Sequence, residues 1–243
     1  MKNKMKVTAQ GLTLVFLVFA LIFFGSFLSS CEKQDPAPVG ETMTDIDGNV
    51  YHTVLIGNKL WTVENLKVTH FTDGTEIPYV ENQPIWDNST TSAYCLYNND
   101  KSNKGIYGCL YNGYAIRSGI LVPEGWHVAD NCDLMDLVEI SLGGLDNAGG
   151  KVKTVGTNYW KSPNVGATNE SGLSVLPAGW RGDKFYGVGE TTSIGIDGYT
   201  GEGGPTTFSA YYDNVRSNYG NGSMNTGLSV RCVKDLTVVV HAK

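Results

Sequence analysis

The chain is poor in the residues that carry most protein chemistry. It has only four histidines, and 18 Lys and Arg stand against 24 Asp and Glu, a net charge of −6. After Lys6 there is no basic run. Nucleic acid and anionic surfaces recruit clustered cations, so neither is expected as a partner. The sequence has no GxSxG elbow, no HExxH pair, no phosphate-binding glycine loop and no dinucleotide fingerprint. Their absence removes the commonest hydrolase, metalloprotease and nucleotide-dependent classes. No cysteines have CxxC spacing, and none lies at zinc-finger distance from histidines. No cofactor and no metal are therefore expected. Long helical repeats are scarce too; 30 glycines and 13 tyrosines favour short strands and ordered loops.

The first recognisable feature is N-terminal. Lys2, Lys4 and Lys6 precede an apolar run over 12–28, and Ser29-Ser30-Cys31 follows it. A basic start, an apolar stretch and small residues beside a cysteine predict a lipoprotein signal over 1–30, with Cys31 as the lipid-carrying residue. Residues 31–43, with Pro36 and Pro38, read as a tether. Two or three acyl chains on one cysteine anchor stably at roughly 0.8 kcal/mol per buried methylene. The protein is thus expected at the outer membrane of a Gram-negative cell, periplasmic or surface-exposed, attached to the bilayer without spanning it.

About two hundred residues then remain, enough for one domain, which we place at 44–235 with a tail over 236–243. Asp47-Gly48-Asn49 and Gly57-Asn58 bracket an apolar stretch over 50–56 and predict a hairpin with 60–63. Residues 108–117 suit a short helix. A clearer one starts at the N-cap Asp130, carries Leu134, Leu137, Val138 and Ser141 on one face, and stops at Gly143-Gly144. Residues 173–176, 185–188 and 228–233 read as short strands, and 236–240 as an added edge strand.

The histidines look isolated. His127, beside Trp126, reads as a packed or hydrogen-bonded strand residue, because no carboxylate or nucleophile stands near it in sequence. Asp45, Asp47 and Asn49 resemble the opening of a calcium loop, but its twelfth position is Ile56 rather than glutamate, so a turn is expected. Gln83-Pro84 and Trp86-Asp87-Asn88 echo lectin calcium motifs at the wrong place in the chain. Cys95, Cys109, Cys132 and Cys232 are even in number in an exported chain, which suggests two disulfides in any of three pairings.

A series of ordered blocks carries a resemblance. These include Asp45-Ile-Asp-Gly-Asn-Val-Tyr51, Trp61 with Glu64-Asn65-Leu66, Tyr97-Asn98-Asn99-Asp100, Pro123-Glu-Gly-Trp-His-Val128, Ala167-Thr-Asn-Glu-Ser-Gly172, Leu176-Pro-Ala-Gly179 and Ser229-Val-Arg-Cys-Val233. The chain resembles the Fibrobacter succinogenes major paralogous domain family over nearly the whole domain. The resemblance implies an α+β fold of C-type-lectin-like type, in its formylglycine-generating-enzyme branch. Two short helices, a small twisted antiparallel sheet and long ordered loops would make up that fold. It also implies that Cys95 pairs with Cys232, where family members commonly carry cysteine, leaving Cys109 with Cys132. The enzymes of that branch need two reactive cysteines near the C-terminus, whereas Cys232 stands alone there. A non-enzymatic protein is therefore expected.

Residues 182–225 depart from the family pattern and are the most suggestive for function. Tyr199, Tyr211, Tyr212, Asp213, Asn214, Arg216, Asn218 and Tyr219 have the composition of an antibody paratope, in which tyrosine supplies rigid contact area and Asn, Ser and Gly adapt their hydrogen bonds. This stretch is expected to be a contact loop for a glycan or protein ligand.

Overall fold

The computed structural model describes residues 41–198 and 203–236. Cys31, Tyr199, His241 and most of the expected edge strand at 236–240 lie outside them.

A turn and a hairpin open the domain. Strand β1 (Thr42–Thr44) runs into β2 (Val50–Ile56) through a turn in which the Asp45 carboxylate accepts the Asn49 amide at 2.9 Å and the Tyr51 hydroxyl at 2.6 Å. Gly48 holds φ +78°, which an L side chain disfavours. The sequence that resembled a calcium loop is thus a turn held by its own side chains. β2 returns as β3 (Lys59–Thr62) with Ile56 opposite Lys59, as the Gly57-Asn58 pair predicts. The last described strand, β12 (Cys232–Asp235), lies on β3, and β6 (His127–Val128) lies on β12. This gives the order β1-β2-β3-β12-β6 and joins both ends of the domain in one sheet.

Among the described residues the helices are short and more numerous than the expected two. In chain order they are α1 (Gln83–Asp87), α2 (Lys104–Tyr107), α3 (Gly113–Ile116), α4 (Asn131–Met135) and α5 (Leu145–Val152). Asp130 caps α4 as predicted, through a reciprocal capping box with Asp133. α4 then widens into a π-helical segment over Asp136–Ser141. The extra residue in that turn rotates the helix face, so Leu134, Leu137, Val138 and Leu142 are buried whereas Ser141 is exposed. Gly143 and Gly144 stop it with positive φ, and α5 follows at once.

α5 was not legible in the sequence, because Gly149-Gly150 lowers helix propensity. Tertiary contact overrides it. A Cβ on Gly149 would fall 2.1 Å from the Arg216 carbonyl oxygen, so only glycine lets the helix approach that backbone.

Residues 182–225 are the largest difference from expectation. They form strands rather than a loop: β8 (Phe185–Val188), β9 (Thr191–Ile196), β10 (Thr206–Tyr211) and β11 (Ser217–Asn221), joined by β7 (Ala178–Arg181) in the order β11-β10-β9-β7-β8. All pairs are antiparallel except β7 with β9. Phe208, Ala210, Ile194 and Ile196 bury one face against α4 and α5 residues including Leu137, Val138 and Ala148. Of 228–233, only the end becomes strand; Leu228 and Ser229 make single bridges to Tyr111 and Ile194 that tie the elements together. The expected strand at 173–176 reduces to one bridge, Val175 with Lys153. A two-stranded ladder of β4 (Tyr94–Cys95) and β5 (Leu110–Tyr111) completes the α+β architecture.

The expected disulfides are not formed, and all four thiols are free. Cys95 is buried with Trp86 and Leu110, whereas Cys109 and Cys232 belong to a different cluster with Tyr51 and Tyr111. Cys132 is exposed in the first turn of α4. Burial pushes Cys95 up to about 11 and Cys109 up to about 12, which suits inert core thiols. Among the described residues no helix is long and apolar enough to cross a membrane.

Candidate functional site

The face of the second sheet turned away from the apolar core carries the candidate site, and strand alternation builds it. In β9 and β10 the apolar residues point into the core, so Thr191, Ser193, Thr207, Ser209 and Tyr211 are left on the other face. Register places Ser193 opposite Ser209, with their hydroxyl oxygens 3.2 Å apart. Thr226, whose hydroxyl accepts the Ser223 amide at 2.9 Å, closes one side together with Asn221 and Gly222. Trp180 on β7 forms the opposite wall.

Trp180 is held flat. It stands opposite Tyr186 across β7 and β8, and the rings stack at 4.5 Å with 16° between their planes. The Tyr186 hydroxyl donates to Asp183. Gly179 makes this geometry possible: it has φ +66°, and a Cβ there would lie 2.2 Å from the Tyr186 carbonyl oxygen.

The resulting groove has a volume of ≈ 250 Å³. That is below the range of about 300–1,000 Å³ found for drug-sized ligands, so it fits one ring or one side chain. Among the described residues, no carboxylate, lysine, arginine or histidine lines it. Each Ser or Thr hydroxyl both donates and accepts, and a partly exposed tryptophan offers an apolar plate.

The residues expected to form one contact loop are divided by the strands. Tyr211 lines the groove, and Asn218, opposite Ser209, shares that face. Tyr219 alternates to the other face, where its hydroxyl lies 3.5 Å from Glu139; burial, then Glu139, pushes its pKa up to about 12. Arg216 pairs with Asp146 of α5 at 2.7 Å. Tyr212 lies under the Lys161 ammonium, 5.0 Å from the ring centre. Asp213 and Asn214 sit in the connecting turn, with Asn214 donating to Asp213 at 2.9 Å.

Beneath that turn is a residue that the sequence did not reveal. Lys153 is fully buried, and its ammonium donates to the carbonyls of Val165, Tyr211 and Asn214 at 2.9, 2.7 and 2.9 Å. Burial lowers its pKa to about 8. It fixes the backbone of Tyr211 and thereby one end of the groove. The groove hydroxyls themselves did have a signal: Thr191-Thr-Ser-Ile and Thr206-Thr-Phe-Ser-Ala-Tyr211 put hydroxyls at every second position, the period of a strand.

A wider basin of ≈ 510 Å³ lies at β6, lined by Arg117, His127, Asp130, Asp197 and Asp235. His127 is hydrogen-bonded, as its reading as a strand residue implied, and its partner is a carboxylate: Nε2 lies 2.8 Å from Asp133. Asp133 also accepts the Lys59 ammonium at 2.6 Å and the Asp130 amide at 2.8 Å. Burial opposes its ionisation, but these donors outweigh that and hold it well below the usual carboxylate range. His127, Asp130 and Asp133 are near enough to suggest a metal set, yet Asp133 already bonds the Lys59 ammonium, the His127 ring and the Asp130 amide. The lectin-like echo at Gln83 and Trp86 is structural. Gln83 accepts from Arg181 at 3.2 Å, and Trp86 donates to the Asn225 carbonyl at 2.6 Å.

Short helices and curled antiparallel sheets define an α+β domain with a polar groove on one sheet. The chain matches the family model of the Fibrobacter succinogenes major domain over residues 54–234, and it belongs to that family. Neither the curated proteins nor the solved structures contain a match to it.

Proposed function

We propose that this protein is an exported cell-envelope lipoprotein, anchored through Cys31, whose domain binds a neutral glycan without transforming it. The single observation that carries the reading is the groove: alternating Ser and Thr hydroxyls beside the Trp180–Tyr186 stack, with no charged group among the described residues that line it. Sugar rings present apolar faces that settle on aromatic plates and hydroxyls that exchange hydrogen bonds with Ser, Thr and Asn. The arrangement of short helices and curled sheets fits a C-type-lectin-like fold, in which long connections surround such a face. Anchoring by lipid would place the domain at the outer membrane, where envelope and extracellular glycans occur.

The test is a panel of neutral plant, mucin and bacterial glycans, offered to the full chain in mild detergent. Trp180→Ala and Thr207→Val variants, each checked for native circular dichroism, accompany it. Binding that weakens in both variants supports the reading. A folded chain that binds no glycan would overturn it in favour of a structural envelope role, and binding unchanged by either variant would remove the groove as the site.

A further inference from the structure

A second cavity lies on the side of the domain formed by α2 and the segment after β3. Its volume is ≈ 210 Å³, and Asn65, Lys67, Lys104, Ser174 and Arg231 are among the residues that line it. Its charge balance is unusual. Arg231 is fully buried just before β12. Its Nε donates to Asn65 Oδ1 at 2.7 Å, and its Nη1 donates to the carbonyls of Thr62 at 2.7 Å, Leu173 at 3.2 Å and Val63. Every one of these acceptors is neutral. The remaining nitrogen, Nη2, is buried without a hydrogen-bond partner among the described residues. A buried guanidinium ordinarily has a carboxylate against it, because an uncompensated charge in a low-dielectric interior is costly.

One carboxylate, Glu64, lies close enough to favour the charged guanidinium, and two lysines add further positive charge. Lys67 and Lys104 both line the cavity and are half-buried, and neither is ion-paired among the described residues. The acid in the lining is Glu64, and His52 engages both of its oxygens through its amide at 2.8 Å and its ring at 2.7 Å. Ser174 adds a neutral hydroxyl. Gly105 and Ile106, both exposed, mark the open side at α2.

We propose that this cavity is a binding site for a small oxyanion, a carboxylate or phosphate group, held by Lys67 and Lys104 with the Arg231 guanidinium behind them. Three cations against the one carboxylate of Glu64 leave the lining net positive, and lysines at the open side can adjust their reach to a tetrahedral or a planar group. The site is separate from the neutral groove and does not depend on the glycan reading.

The experiment titrates the full chain in non-ionic detergent with sodium phosphate and, separately, sodium acetate. Ionic strength is held constant with sodium chloride, and melting temperature and calorimetric heat are followed. The same titrations are run on the double variant Lys67→Gln/Lys104→Gln, which replaces only half-buried side chains and should fold. A saturable rise in Tm with either oxyanion, weakened by about tenfold or more in the double variant, is the expected result; tenfold is about 1.4 kcal/mol of binding free energy. Which anion gives the rise distinguishes a phosphate from a carboxylate ligand. No rise with either anion, or an equal rise in the double variant, would overturn the proposal. An Arg231→Lys variant is measured as well. Should it unfold, the double lysine variant still decides.

Discussion

The Lys153 ammonium donates to the Tyr211 carbonyl at 2.7 Å, across 58 residues of sequence. With the carbonyls of Val165 and Asn214, this bond fixes the turn between β10 and β11 from beneath. Replacing Lys153 by Met keeps the length of the side chain but leaves three partly buried carbonyls without this donor. A loss of about 3 kcal/mol in chemical denaturation is expected, since each orphaned group is worth roughly 1–3 kcal/mol and the buried charge is removed at the same time. Stability unchanged in Lys153→Met would show that the clamp is dispensable.

Ser193 and Ser209 satisfy one another across β9 and β10. Either single change to Ala leaves one buried hydroxyl unpaired and is expected to destabilise by about 1 kcal/mol, whereas the double change should be less destabilising than the sum. A urea-denaturation cycle measures the coupling, and strict additivity would mean the pair does not interact.

Arg181 is fully buried, with its guanidinium carbon 4.4 Å from the centre of the Trp86 ring and 5.0 Å from that of Phe185. Its nitrogens donate to Gln83 and to the carbonyls of Val80 and Glu81. Lysine keeps the charge but has neither the planar stack nor the fork, so Arg181→Lys should lower stability by about 2–3 kcal/mol. A melting temperature equal to that of the wild type would contradict this packing.

His127 gives a pH dependence. Its hydrogen bond to Asp133 raises its pKa above the ordinary histidine value, so protonation is favoured in the folded chain. The stabilisation is fully present below the unfolded value and fades as pH rises through the folded one. The ring is 38% exposed, which limits the effect to under about 1 kcal/mol. The Tm difference between wild type and His127→Gln should therefore be larger at about pH 5.5 than at about pH 8.5. A difference that grows with pH would reverse the sign and reject the assignment.

Thiol accessibility reports on the core directly. Brief alkylation of the native chain followed by peptide mapping should label Cys132, while Cys95, Cys109 and Cys232 should react only after unfolding. A bridge found between any two of the four would refute the reduced core.

Much of this architecture was written in short local patterns. Gly57-Asn58 set the β2–β3 hairpin, Asp130 and Asp133 set the start of α4, and Gly143-Gly144 set its end, because turns and caps depend on the conformations that a few adjacent residues allow. Family membership was legible for a related reason: many such local blocks occur in a fixed order. The alternation of hydroxyl and apolar residues in β9 and β10 was also present, hidden by a composition that suggested a loop.

Other features required the tertiary structure. α5 exists because the 215–216 backbone packs where Gly149 has no side chain, and the residues proposed as one contact loop separate because adjacent residues on a strand face opposite ways. Nothing local in the sequence marks Lys153, Arg181 and Arg231 as core residues, yet all three are buried and bonded chiefly to carbonyls far along the chain. The sequence by itself determined turns, caps and family, which are set by neighbours a few residues apart. Only the tertiary structure decided which polar groups line a groove and which buried cation is left with neutral acceptors, because the groove gathers residues from Trp180 to Leu228 and Arg231 meets Asn65 across 166 positions.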